Sequence, residues 1–378
     1  MAALAQCCSE IDAATVFFPI PVTGGLESPA PTDFLLPVMP GLGFVTRRNI
    51  RVFGQLCSGG GFGDGSRLAY HEGLATQQIL IPTLVADNLP PSDTPYFPLP
   101  GLGLIALEGP EATAFAQAQF ANDVVALAPG HWQWSAWLTP KGRVIAVFAL
   151  LKFSEDRIWL LLPDYPPTAF VEQLQRFVFR RKLKLGQQQD MAISGRFSQP
   201  GLARATLFAE HDGGWELDFG NEAMPRSLII APAGDTADTD EQAIERWRAY
   251  DLEHGFPRLD ESQREQWTPQ QLSLDRLQAY SVKKGCYPGQ EIVARTHFLG
   301  KAKRGLALFS ASAPVSPGDN VLADGSTLGS FVSVANRDGE YLALAILPAE
   351  RDTTRSLHAG SIPLHEQPLK EGLKRQPS

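Results

Sequence analysis

The sequence predicts an α+β protein of two or three domains that ends in a small all-β unit. Three observations predict it. Apolar residues from Trp132 to Leu162 run in strand-like stretches broken by turns, and those from Phe170 to Val178 recur at helical spacing. Beyond Arg304, short apolar runs alternate with Pro-Gly and Asp-Gly turns. A chain of 378 residues is long enough to bury more than one core.

The elements follow in order. Leu104 to Leu107 reads as a short strand, and Gly109-Pro110-Glu111 as a helix start with Pro at the first helical position. Phe115, Ala118 and Val125 give the following stretch an apolar side, interrupted by Asn122-Asp123. The period then becomes two. Trp132, Trp134, Ala136 and Leu138 alternate with other residues, Pro140-Lys141-Gly142 turns the chain, and Val144 to Leu151 returns as a buried strand. A turn at Ser154-Glu155-Asp156 leads into Ile158 to Leu162, which completes an antiparallel meander. Phe170, Leu174, Phe177 and Val178 then place an amphipathic helix over Thr168 to Arg180. Its basic end, Arg180, Arg181, Lys182 and Lys184, suits the negative end of the helix dipole and needs no phosphate partner. A further helix has Thr239 and Gln242 as a capping box, Ile244, Trp247 and Asp251 on one face, and Gly255 and Pro257 as its stop. Glu253 falls in its last turn, where a carboxylate opposes the dipole at a cost of about 0.3–1 kcal/mol. The runs Leu306 to Phe309, Val321-Leu322, Ser330 to Val334 and Tyr341 to Leu347 fit a small sandwich or barrel, with a frayed end after it.

Residues 1 to about 92 read differently. Pro and Gly make up 23 of the first hundred residues, and no period of two or 3.6 is sustained there. This stretch is expected to be a flexible extension or the product of a start site placed too far upstream. The remainder divides into an α+β region over residues 93–300, a β-barrel over 301–366 and a tail over 367–378.

Net charge −8 and a pI near 5.5 argue against a protein that coats nucleic acid through bulk electrostatics. Cys7, Cys8, Cys57 and Cys286 match neither a zinc spacing nor a disulfide framework, so a reducing cytoplasm is expected. No apolar run reaches membrane-spanning length, and no basic segment precedes an apolar one at the start.

The densest chemistry lies in Lys283-Lys284-Gly285-Cys286-Tyr287-Pro288-Gly289-Gln290-Glu291. Two lysines precede the sulfur, and Pro288 reads as the first residue of a helix through Arg295, so the thiol is expected near a helix N-terminus, a setting that favours its anion. Cys286 is therefore the candidate nucleophile and Lys284 the group that stabilises it. No second Cys or His pair accompanies them at metal-ligand spacing, and His297 reads as an ordinary surface or core histidine.

Lys284-Gly285-Cys286-Tyr287-x-Gly289-Gln290-Glu291, followed by Val293-Ala294-Arg295, resembles the signature of the YgfZ family. Gln117 to Val124, Thr139-Pro140-Lys141-Gly142-Arg143 and Leu252-Glu253-x-Gly255-x-Pro257 resemble further segments of it, so the likeness covers about residues 93–366. What the resemblance implies is a ring of three modules around a channel for tetrahydrofolate or a one-carbon-substituted folate. It also implies kinship with the T-protein of the glycine cleavage system. The family supports iron–sulfur enzymes, including one that methylthiolates tRNA. By the same resemblance Glu253 would take the pterin through a bidentate pair, and Asn122, Tyr287, Gln290, Glu291 and Arg295 would belong to the folate site.

One departure separates two functions. T-proteins carry paired aspartates on the strand after the Gly-containing turn, whereas this chain has Arg143-Val144-Ile145-Ala146-Val147-Phe148. Without that carboxylate the aminomethyl transfer lacks its proton-handling group. The expectation is a folate-binding maturation factor that works with iron–sulfur enzymes or their assembly machinery. The alternatives are a glycine-cleavage-type aminomethyltransferase and an adaptor with a vestigial channel.

Overall fold

The computed structural model of the protein describes residues 95–234, 238–300 and 302–375. The expectations for residues 1 to about 92, and for Cys7, Cys8 and Cys57, lie outside the described residues. Strand β1 (Phe97–Pro98) leads into β2 (Gly103–Glu108), α1 (Ala112–Gln119) and the meander β3 (His131–Leu138), β4 (Val144–Ser154) and β5 (Arg157–Leu162). Helix α2 (Pro167–Gln175) and β6 (Lys184–Gln187) complete an antiparallel sheet of order β3-β4-β5-β2-β6. Both faces of this sheet are covered. Ile105, Phe148, Leu150 and Leu160 pack under Phe115 and Phe120 at α1 and Phe170 and Leu174 of α2, while Trp132, Trp134, Ala149 and Leu161 face a second core. Burial on both sides explains why β4 is an unbroken apolar run from Val144 to Leu151.

That second core is shared with a sheet the sequence pattern does not announce. Strands β7 (Met191–Arg196), β8 (Ala209–His211), β9 (Gly214–Asp218) and β10 (Ser227–Pro232) pair with β1 in the order β1-β7-β10-β9-β8. Helix α3 (Glu241–Glu253) lays Ile244 and Trp247 into it, and Trp132, Trp134, Phe219 and Trp247 meet as an aromatic cluster with centroids 5.1–6.1 Å apart. After α3 and α4 (Gln290–Leu299), the third module is a closed barrel. It is formed by β11 (Arg304–Ala311), β12 (Asn320–Ala323), β13 (Ser326–Arg337), β14 (Glu340–Pro348), β15 (Leu357–Ala359) and β16 (Ile362–Gln367).

Charges join the modules as well as apolar contacts. Arg226 donates to Asp251 at 2.7 Å, and Arg258 donates both to Asp251 at 2.9 Å and to Asp164 at 2.6 Å. The guanidinium of Arg226 lies 4.0 Å from the Trp247 ring centroid. Arg226 and Arg258 are thus paired with carboxylates, without which their desolvation would oppose folding by several kcal/mol.

Several local expectations are corrected. Helix α1 begins at Ala112 with Glu111 as its cap, so Pro110 precedes the helix, and Val125 lies beyond its end and is exposed. Helix α2 stops at Gln175, which leaves Phe177 half exposed although Val178 is still buried. Asp240, not Thr239, caps α3, accepting from the Ala243 amide at 2.9 Å. As far as residue 375 the segment after the barrel is not frayed: Leu373 belongs to the second core, and Arg375 is buried; residues 376–378 lie outside the described residues.

Candidate functional site

The Cys286 turn is held from three sides while its sulfur remains exposed. Ser281 Oγ accepts from the amides of Lys283 and Lys284 at 3.2 and 3.3 Å, Tyr287 Oη donates to the Ser281 carbonyl at 3.2 Å, and Gln290 Nε2 donates to the Lys284 carbonyl at 3.0 Å. The loop is therefore closed by its own motif residues. Helix α4 begins at Gln290, capped by Gly289 in the left-handed region at φ 80°. Pro288 is thus not the first helical residue, and Cys286 stands three positions before the cap instead of at the helix end.

Gly289 also explains the Thr139 turn. A β-carbon on Gly289 would sit 2.6 Å from both the Gly142 Cα and the Thr139 carbonyl oxygen, and one on Gly142 would sit 2.8 Å from the Ile292 Cβ. Two glycine backbones touch where any side chain would separate them. The turn that ends β3 and the turn that carries Cys286 are consequently one packed unit, although about 150 residues separate them in the chain.

Lys284 faces inward. Its ammonium donates to the carbonyls of Gln117, Phe120 and Asn122 at 2.6, 2.6 and 2.9 Å, and it lies 5.0 Å from the Tyr287 ring centroid. Those carbonyls close the end of α1 and the turn after it, where helix carbonyls lack intrahelical partners. Burial pushes its pKa down to about 7, opposed by the nearby Asp123 carboxylate. The charge expected to support the thiolate is instead spent on the backbone of the Asn122 turn. Burial and the neighbouring Tyr280 push the Tyr287 phenol well above its ordinary value.

Asn122 is equally committed. Its Nδ2 donates to the carbonyls of Trp134 and Gln278, both at 2.7 Å, and its Oδ1 accepts from the Asp123 amide at 2.9 Å. Beside it opens a cleft of about 380 Å³ lined by Asn122, Gln133, Gln278, Ser281, Lys283 and His297. Lys283 stands three residues before Cys286, so the cleft adjoins the thiol turn. Two buried polar atoms on cleft residues, Gln278 Oε1 and Arg375 Nε, have no hydrogen-bond partner among the described residues. One is an acceptor and the other a donor.

Glu253 does not line this cleft. Its carboxylate is buried at the end of α3, where one oxygen accepts from Arg337 of the barrel and the other from Lys370 Nζ at 2.9 Å. The Lys370 amide also donates to the Glu253 carbonyl at 2.8 Å. Glu291 and Arg295 lie exposed on α4 and do not line the cleft. Among the described residues, no three His, Cys, Asp or Glu side chains are grouped to hold a metal, and no helix is long and apolar enough to cross a membrane.

No family model matches the chain. The tRNA-modifying protein YgfZ of Cronobacter sakazakii is 26% identical over 303 residues, covering 72% of this chain and 91% of that protein. Its counterpart from Colwellia psychrerythraea is 29% identical over 232 residues, covering 57% of this chain and 71% of its own. The YgfZ resemblance holds. Among solved structures, the glycine cleavage system aminomethyltransferase T from Bartonella henselae superposes with a TM-score of 0.58. It covers 74% of this chain and 87% of its own, at 16% identity, and so shows the fold.

Within that YgfZ-like, T-protein-like fold, sequence reasoning missed Gln278, Arg375 and His254. The His254 ring stacks on Tyr250 with centroids 4.2 Å apart, its Nε2 accepts from Asn221 Nδ2 at 2.9 Å, and burial lowers its pKa. Its place beside Glu253 in the chain was the available signal. Gln278 and Arg375 had none, because each reaches the cleft from an irregular segment.

Proposed function

We propose that this chain binds a reduced folate and supports iron–sulfur enzymes, including those that modify tRNA, with the exposed thiol of Cys286 as its chemically active group. The observation that carries this reading is the Cys286 turn itself. Lys284, Tyr287 and Gln290 are spent on holding the loop, Gly289 locks it to the Thr139 turn, and Cys286 is left exposed to a partner. A residue kept rigid and exposed at such structural cost is placed for reaction, not packing. The relatives named as tRNA-modifying proteins support the same direction.

The adjoining cleft of about 380 Å³, with Asn122, Gln133 and Gln278 in its lining, supports this reading by its size and polarity, and Lys283 is available to a carboxylate of the folate tail. Isothermal titration of the purified protein with (6S)-5-formyltetrahydrofolate is expected to give saturable binding. Absence of heat and of any thermal shift at high ligand concentration would remove the folate reading and leave the adaptor. Aminomethyl transfer is a separate question, and β4 argues against it. From Val144 to Leu151 that strand carries only apolar side chains, so no carboxylate serves as a proton acceptor there. Given aminomethylated lipoyl carrier protein and tetrahydrofolate, the protein is expected to release no ammonia above background; turnover would restore the transferase alternative.

A further inference from the structure

Helix α2 runs out into Arg176-Phe177-Val178-Phe179-Arg180-Arg181-Lys182-Leu183-Lys184, with five cations in nine residues. The helix dipole does not account for them, contrary to the expectation from sequence. Helix α2 ends at Gln175 with no basic residue in its last turn, so the dipole serves at most the capping residue Arg176. Ion pairs do not account for them either. Arg181 pairs with Glu111 at 3.6 Å, whereas Arg176, Arg180, Lys182 and Lys184 have no carboxylate within 4.0 Å among the described residues. Glu172 lies one turn before Arg176, and Glu108 is opposite Lys184 across β2 and β6 but pairs with Arg157 at 3.8 Å.

The segment is fixed where it meets the fold and open between those points. Val178 and Leu183 are buried in the core under α1 and α2. The Glu111 carboxylate accepts from the Lys182 amide at 2.5 Å, and the Arg181 amide donates to the Val178 carbonyl at 2.8 Å. A β-carbon on Gly109 would lie 2.4 Å from the Lys182 carbonyl oxygen, so the turn before α1 also packs on this backbone. Between the anchors Arg180 and Lys182 are exposed, and Phe179 is 84% exposed with its backbone in the left-handed region at φ 44°. That conformation is strained for a bulky residue, and packing does not explain it, because the ring buries almost nothing. The Arg180 guanidinium lies 5.2 Å from the Phe179 ring centroid, and half-exposed Phe177 stands edge-on to Trp137 at 6.3 Å.

We propose that residues 176–184 form a docking surface for single-stranded RNA, with the four unpaired cations on phosphates and Phe179 as a stacking platform for a base. Exposed aromatic rings among cations match a flexible polyanion whose bases have free faces. A net charge of −8 confines the attraction to this patch and keeps the rest of the chain from coating nucleic acid. An anionic membrane would meet the same charges, but α2 turns Phe170 and Leu174 into the core and leaves no apolar helix face to insert. The choice of RNA rests on the tRNA-linked reading above, while the surface itself is independent of the cleft and of Cys286.

The test uses the full chain with an RNA hairpin that has a long unpaired loop, a blunt RNA duplex, and vesicles of phosphatidylglycerol and phosphatidylcholine. Hairpin binding is expected to weaken with salt at a log–log slope of about −3, from four phosphates at about 0.7 each. Arg180→Glu with Lys182→Glu should lower affinity at least tenfold and bring the slope to about −1.5. Phe179→Gly should weaken hairpin binding about tenfold while the melting temperature holds or rises, because glycine accepts the left-handed backbone. A purely structural Phe179 would give the reverse, a lower melting temperature with unchanged binding. If the hairpin does not bind, if either variant binds it as the parent does, or if the duplex or the vesicles bind more tightly, the RNA surface is overturned. Titration with (6S)-5-formyltetrahydrofolate should be the same for parent and variants, so that failure here leaves the folate reading standing.

Discussion

The start of α4 and the end of α3 each carry a residue that the YgfZ resemblance singles out, and the two are treated in opposite ways. At α4, Lys284, Tyr287 and Gln290 around Cys286 are tied down and the thiol is left exposed. At α3 the carboxylate of Glu253 is buried and holds two cations from other parts of the chain. A reactive atom needs access, so its turn is rigid and its tip is bare. At Glu253 the protein itself supplies both partners of the carboxylate, so that group is fixed but not open.

The largest expected effect tests the bare tip. Cys286→Ser should abolish support of iron–sulfur enzyme activity in cells lacking the native factor, while unfolding free energy stays within about 0.5 kcal/mol of the parent, as for other exposed positions. Full complementation would make the thiol structural and erase the contrast. Next is the rigidity beneath it. Gly289→Val combines a left-handed backbone with contacts under 3 Å, so a loss of about 2–4 kcal/mol in denaturant melts is expected. An unchanged midpoint would mean that the Thr139 and Cys286 turns are not one unit.

Lys284→Met should cost about 2–3 kcal/mol, since it strips the donor from three carbonyls at the end of α1. Its pH dependence has a defined sign. The folded-state pKa of about 7 lies below the ordinary 10.5, so between those values the unfolded chain binds more protons than the folded one. Stability of the parent relative to the Met variant should therefore rise as pH increases through that window and be level below it. A difference that is flat or falling from pH 7 to 10 would refute the assigned environment. The smallest effect belongs to Glu253→Gln. Arg337 and Lys370 are each about two-fifths exposed and can turn to water, so a cost of about 1 kcal/mol is expected in the melt. A loss above about 3 kcal/mol would show that Glu253 is a structural anchor and not a held recognition group.

How much of this was legible depended on sequence distance. The β3–β4 hairpin and the barrel strands announce themselves because alternation and Gly-containing turns are local signals. The β1-β7-β10-β9-β8 sheet does not. Its strands are short, β7 and β9 mix buried with half-exposed positions, and β1 joins β7 from about 95 residues away. The same limit applied within the site. An exposed Cys286 could be read from its polar, Gly-bounded turn, whereas Lys284 beside it reads as equally exposed until the carbonyls of residues 117–122 are brought over it. Lysine is rarely buried, and nothing nearby in the chain signals the exception.

The hydrogen bond from Trp134 to Leu373 closes a separation of 239 residues, and Leu373 fills the same core as Trp134 and Phe256. Loop closure over that length carries an entropic cost before any contact rewards it. During synthesis, the aromatic core of the first two modules can gather but cannot be completed until residue 373 has left the ribosome. For that interval the core beside Trp134 lacks the Leu373 side chain and carbonyl that complete it in the folded protein.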